Sequence, residues 1–214
     1  MQTIPNAGAA AILRDIAATI VANKAWLSEI DGKIGDGDHG INMAKGFGRA
    51  ADRIAPEATL TEAMQTLSDV LMGEIGGSMG PLYGMMFSDM ADALGNGSEI
   101  TAERFGAMIR AGCDGVMDMG EAKPGDKTLL DALVPAVEAY EASLGEDADF
   151  AAALSAMRQA ADTGRDSTRD MIARIGRSAR LGERSRGVLD AGASSCALIL
   201  SGFADGISQR LESA

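Results

Sequence analysis

The sequence predicts an all-α fold: eight antiparallel helices in an up-and-down bundle or barrel, with its binding site at one end. Apolar residues recur at helical spacing along the chain, and no convincing period-two alternation marks a strand. Glycine is high, at 27 of 214 residues where ordinary usage gives roughly fifteen, which suits closely packed helices with glycine at the joints. Glycine-bearing loops stand at 35–40, 76–84, 120–125 and 176–192, and each is separated from the next by two helical stretches. In an up-and-down arrangement every second connection returns to the same end, so all four loops should gather there.

The elements follow in order. Residues 9–30 form an amphipathic helix with Ile12, Ile16, Ile20 and Leu27 on one stripe, and the next turn of that stripe lands on Asp31. A second helix covers 41–54. A third covers 61–75, with Leu67, Val70, Leu71 and Ile75 inward and no capping-box glutamate counted from Thr61. The fourth runs from Tyr83 to Leu94. The fifth opens at Thr101 and ends near Met119, with Phe105, Met108, Ile109, Val116 and Met119 inward. Residues 129–144 form the sixth. Residues 149–175 form a long seventh, with Gly164 at a close helix contact. Asp190 caps the last, since aspartate is a preferred N-cap.

The bulk composition excludes several classes. Net charge is −12, and no basic stripe exists to bind nucleic acid or an anionic membrane. No span of about 18 apolar residues occurs, and Arg14 and Asp15 break the N-terminal apolar run, so the cytoplasm is the default location. Cys113 and Cys196 are far apart and read as reduced, packed cysteines. A single histidine rules out a His-rich zinc site. The whole chain, 1–214, is expected to form a single domain.

The chemistry concentrates in Ile34–Asn42, where Asp36, Asp38, three glycines, His39 and Asn42 crowd together just after Asp31. A D-G-D-H-G run is compatible with a solvated turn. It is equally compatible with a site for a hard divalent cation, which takes oxygen ligands and is held by a few carboxylates plus phosphates. Asp31 favours the second reading. An inward carboxylate needs a partner, its two acidic neighbours repel it, and a cation shared by all three would satisfy it. An EF-hand is excluded, because the twelfth position counted from Asp36 is Phe47. No Walker lysine motif is present. The segment 176–187 holds Arg177, Arg180, Arg184 and Arg186, either as a solvated loop or as a phosphate or partner contact.

The four loops read GDGDHGINMAKGF at 35–47, GGSMGPLYG at 76–84, GEAKPGDKT at 120–128 and GRSARLGERSRGVLDAGASS at 176–195. In this order and spacing the chain resembles the nucleotide-binding L subunit of dihydroxyacetone kinase (a DhaL-type domain). That resemblance implies a barrel of eight helices with ADP or ATP at one end. It implies two Mg²⁺ ions held by Asp31, Asp36 and Asp38. It implies nucleotide contacts at His39, Gly40, Ile41, Asn42, Ser78, Met79, Gly120, Leu129, Arg177, Asp190, Ala191 and Gly192. No side-chain nucleophile or general base is implied, since phosphoryl transfer rests on positioning and charge neutralisation. The implied partner is a DhaK-like subunit that carries a small ketose. In some members a phosphotransferase-system protein is the phosphoryl donor. The alternative is a non-catalytic nucleotide-binding or regulatory module on the same fold. Three positions depart from the family pattern: Met79 for a serine, Arg180 for an aromatic and Ala191 for a proline.

Overall fold

The computed structural model describes residues 2–120, 122–146 and 149–212. Nine α-helices are described: α1 (Ala10–Ala22), α2 (Lys24–Ile34), α3 (His39–Arg53), α4 (Leu60–Glu74), α5 (Met79–Leu94), α6 (Ala102–Met119), α7 (Leu130–Gly145), α8 (Phe150–Ser167) and α9 (Ala191–Glu212). The single first helix expected from the stripe is broken at Asn23, whose side chain donates to the Thr19 carbonyl and ends α1. With α1 and α2 taken as one interrupted helix, the expected eight are present. Each packs on the next, and α9 closes the ring against α1. The apolar faces meet in one main core, and Leu27, Ile30 and Ala191 form a small second cluster.

Several boundaries differ from the sequence reading, each for a local reason. α3 and α5 start two and four residues earlier than expected, at His39 and Met79. α4 starts at Leu60, because Thr59 and Glu62 form a full capping box two residues ahead of Thr61. The long helix expected over 149–175 stops at Ser167. A short 3₁₀ turn, Thr168–Asp170, follows, and residues 171–176 run on as a non-helical strap. Met119 was expected inside but is 44% exposed, because the last turn of α6 projects beyond the core to the rim. Two three-residue strands also pair, β1 (Thr3–Pro5) and β2 (Glu99–Thr101), antiparallel with Ile4 opposite Ile100. They are too short for alternation to show in the sequence.

The capping expectation at Asp190 holds, and Thr101, where the fifth helix was expected to open, is the N-cap just ahead of that helix. Thr101 accepts from the Arg104 N–H, and Asp190 Oδ2 accepts from the Ala193 N–H at 2.7 Å. Gly164 does mark a close helix contact. Pro135 removes the N–H that would bond the Asp131 carbonyl within α7. α8 closes over that carbonyl at Gly164, where a Cβ would stand 2.1 Å from it. Both cysteines are buried and free.

The strand pair and Asn6 seal one end of the barrel. Asn6 bridges to Gly97 and Thr61 and accepts from the Leu60 N–H. The four glycine-bearing loops lie together at the other end, as the spacing of the elements requires. Among the described residues no helix is long and apolar enough to cross a membrane.

Candidate functional site

The acidic end is built by α2, a four-residue turn and the start of α3. The Gly35 N–H donates to the Asp31 carbonyl at 2.5 Å, and Gly37 turns the chain in the left-handed region at φ 77°. Any Cβ at Gly35 would strike the Asp31 carboxylate at 2.4 Å. The chain therefore doubles back, and Asp31, Asp36 and Asp38 each bring an oxygen within 4.8 Å of the others. Like charges at that separation cost about 1–3 kcal/mol per pair at a protein surface. Two contacts offset part of this. Asp31 Oδ2 accepts from the His39 N–H at 3.3 Å, and Arg177 forms an ion pair with Asp36. The cluster satisfies the donor chemistry of a hard divalent cation, with three carboxylates and room for further oxygen ligands from Asn42 and Ser78 on the same wall.

Beside it runs a cleft of about 540 Å³, in the range that holds a small organic ligand. Asp31, His39, Ser78, Met79 and Ser178 border both spaces. The farther wall is apolar, formed by Leu82, Val116, Met119, Leu129 and Ile175. Asp190 and Gly192, at the start of α9, contribute polar edges.

Of the residues singled out from sequence, Asp31, Asp36, Asp38, His39, Asn42, Ser78, Met79, Gly120, Leu129, Arg177, Asp190, Ala191 and Gly192 all line these two spaces. Gly40 and Ile41 do not. Gly40 is pressed against α2, where a Cβ would meet the Lys24 carbonyl at 2.2 Å, and the Ile41 side chain points outward at 50% exposure. Arg180 stands behind the acidic turn with Lys33 and Leu181, outside the cleft. Glu121 of the third loop lies outside the described residues.

A buried polar network ties three of the loops together. His39 Nε2 lies 2.9 Å from Ser195 Oγ, which lies 2.7 Å from the Tyr83 hydroxyl. Tyr83 in turn donates to the Gly192 carbonyl at 3.0 Å. Burial lowers the His39 pKa to about 4 against the opposing pull of Asp31, so the imidazole is neutral at pH 7. Burial also raises the Asp190 pKa to about 7, while the Ala193 N–H pulls it back down. Sequence reasoning missed Ser195, Tyr83, Asp131 and Lys127. A serine inside a helix and a lysine in a P-G-D-K-T turn carry no local mark of burial. The one available signal was a polar side chain on the inward face of the last helix.

Residues 33–205 match the DAK2 domain. The chain belongs to the DAK2 domain family. Among its DAK2 relatives is the PEP-dependent dihydroxyacetone kinase, ADP-binding subunit DhaL, of Escherichia coli (strain K12). It is 38% identical over 172 residues, covering 79% of this chain and 82% of the relative. The L-erythrulose kinase of Pectobacterium atrosepticum is 34% identical over 213 residues, which cover 94% of this chain but only 36% of that enzyme. Among solved DAK2-like structures, the dihydroxyacetone kinase from C. freundii in complex with AMP-PNP and Mg²⁺ superposes with a TM-score of 0.68 at 25% identity. That match covers 92% of this chain and 33% of the other.

Proposed function

We propose that this DAK2 chain, acting as one nucleotide-binding domain, is the ADP/ATP- and magnesium-carrying subunit of a dihydroxyacetone-type kinase. It serves phosphoryl transfer to a small ketose held on a separate DhaK-like subunit. The observation that carries the reading is the convergence of Asp31, Asp36 and Asp38 beside a largely apolar cleft of ligand size.

Each part of the site has a distinct role. The three carboxylates would hold Mg²⁺, two ions by resemblance to the family. When bound there, magnesium would supply neutralisation of phosphate charge, which the three carboxylates alone would repel. The first turn of α3 presents backbone N–H groups beside the carboxylates, where phosphate is favoured at a helix N-terminus. Arg177, at the mouth, supplies a guanidinium able to grip a phosphate in two-pronged fashion. The apolar wall of Leu82, Val116, Met119 and Leu129 excludes water and suits a flat base. His39 is neutral and held by Ser195, so it fixes the turn and is not assigned as a base.

Relative lengths support the need for a partner. The chain spans most of the separate DhaL subunits but about a third of the erythrulose kinases. The match over most of the separate DhaL subunits is what supports placing the ketose on a DhaK-like partner. Names of relatives span both three- and four-carbon ketoses, and both PEP-dependent and PTS-dependent systems. A phosphotransferase-system donor is therefore proposed beside ATP. The deciding experiment combines the chain with a ketose-binding subunit and assays dihydroxyacetone and erythrulose, with ATP or a phosphorylated donor protein. Transfer that requires Mg²⁺ and is lost in Asp36→Ala is the expected result. Tight Mg-dependent ADP binding with no transfer to either ketose would make the chain a non-catalytic nucleotide module.

A further inference from the structure

Lys127 is the residue in the molecule that local rules explain least. It is 2% exposed, and it is the one non-glycine residue with positive φ among those described, at 65°. A non-glycine residue stays in the left-handed region only where its surroundings over-determine it. Asp131 fixes the turn from both sides, and the far end of the Lys127 side chain is held as well. The ammonium donates to the carbonyls of Ser185 and Val188, both at 2.6 Å, and of Met171 at 3.3 Å. Among the described residues no carboxylate is hydrogen-bonded to it. Three carbonyl oxygens around one positive charge form the kind of cage that holds a monovalent cation.

Those three carbonyls belong to one stretch, 171–188, that crosses the mouth of the barrel between α8 and α9. It includes the 3₁₀ segment Ser178–Ser185 and has no α-helix of its own. Its other anchors are few. The Arg174 N–H donates to the Asp126 carbonyl, the Gly187 N–H donates to the Arg169 carbonyl at 2.7 Å, and Arg177 pairs with Asp36, while the Ala173 N–H bonds Ser185 Oγ within the strap itself. The turn that carries Lys127 is by contrast fixed. Asp131 accepts from the Thr128 N–H at 2.7 Å and from the Gly125 N–H at 2.5 Å. A rigid turn thus grips a weakly held strap through one buried cation.

We propose that Lys127 is a positioning residue whose ammonium acts as a built-in cation, ordering the 171–188 strap and so placing Arg177 and Ser178 against the acidic end of the cleft. Its effect on nucleotide affinity rests on the function proposed above. The ordering of the strap does not.

The test uses the full chain with Lys127→Ala and Lys127→Met. The second keeps the length of the side chain and guards against collapse of the first; circular dichroism checks that both fold. Limited trypsin digestion without nucleotide reads the strap directly, because it carries Arg174, Arg177, Arg180, Arg184 and Arg186. Cleavage after these arginines is expected to quicken about tenfold or more in both variants, since a buried cation's hydrogen bonds are lost, while cuts elsewhere keep the wild-type rate. Propylammonium replaces the three carbons and the nitrogen that Lys127→Ala removes. It is expected to restore protection and Mg·ADP affinity in that variant, where tetramethylammonium, which has no N–H, does not. A general packing defect would not respond to the difference between those two cations. Wild-type cleavage rates in both variants, or equal rescue by both ammonium ions, would overturn the proposal. If wild-type protein fails to bind Mg·ADP, the nucleotide reading falls, and the digestion still decides the role of Lys127.

Discussion

His39 Nε2 and Ser195 Oγ lie 2.9 Å apart although 156 residues separate them in the chain. That contact joins the first turn of α3, which follows the acidic loop, to the first turns of α9, which edge the cleft. Ser195→Ala removes the shared hydroxyl, taking the partner of the His39 ring and leaving Tyr83 with the Gly192 carbonyl alone. The expected cost is about 1–3 kcal/mol in urea unfolding, together with weaker Mg-dependent ADP binding by calorimetry. Ser194→Ala is the contrast. Its hydroxyl bonds only the Asp190 carbonyl one turn back in the same helix, so the loss should be smaller. Equal losses in the two variants would deny the network its special place.

The three carboxylates make an opposite pair of predictions for stability and binding. Asp38→Asn keeps the size of the side chain and removes one of three clustered charges. Without divalent ions the variant should unfold at the same temperature as wild type or slightly above it, because repulsion is relieved. Wild type should gain about 2.7 kcal/mol from Mg²⁺ and ADP at a hundredfold excess over the dissociation constant. The variant should gain little of this. Thermal melts with EDTA, with Mg²⁺, and with Mg²⁺ plus ADP separate the two effects. Undiminished stabilisation of Asp38→Asn by Mg·ADP would place the ion elsewhere.

Burial of Asp190 has a pH signature. Its pKa stands at about 7 in the fold against an ordinary 3.8. Between those values the folded protein keeps a proton that the unfolded chain has released. Stability contributed by this group is therefore present at low pH and declines as pH rises from about 4 to about 7. Asp190→Asn retains an oxygen to cap the Ala193 N–H and does not titrate. The stability of wild type relative to this variant should fall across that window and level off above it. A difference that stays constant from about pH 4 to pH 8 in metal-free urea titrations would contradict the burial of an ionisable Asp190.

Gly40 is a test of packing against ligand contact. Its Cα faces the backbone of α2, and a Cβ would stand 2.2 Å from the Lys24 carbonyl and 2.7 Å from the Ser28 nitrogen. Neither is the movable tip of a side chain. Gly40→Ala should cost about 1–3 kcal/mol with or without nucleotide, as overpacking does. Loss of nucleotide affinity at unchanged stability would instead restore Gly40 to the role of a direct contact.

The sequence by itself determined the helices and their pairing order. Apolar spacing is a local property, and Thr101 and Asp190 cap where short-range chemistry says they should. It also determined that four glycine loops share one end, because a chain of antiparallel helices leaves them no other place. The acidic trio was legible for the same reason, since Asp31 continues a stripe that periodicity alone defines. Only the tertiary structure decided which polar groups are buried and against what. Ser195 and Lys127 look like surface residues until distant segments close over them, and a hydrogen bond spanning 156 residues leaves no periodic trace. It also decided that Gly40 packs against α2 and that Met119 reaches the rim, because exposure depends on where a helix ends relative to its neighbours. Local propensity fixes directions along the chain; burial is a property of all the segments together.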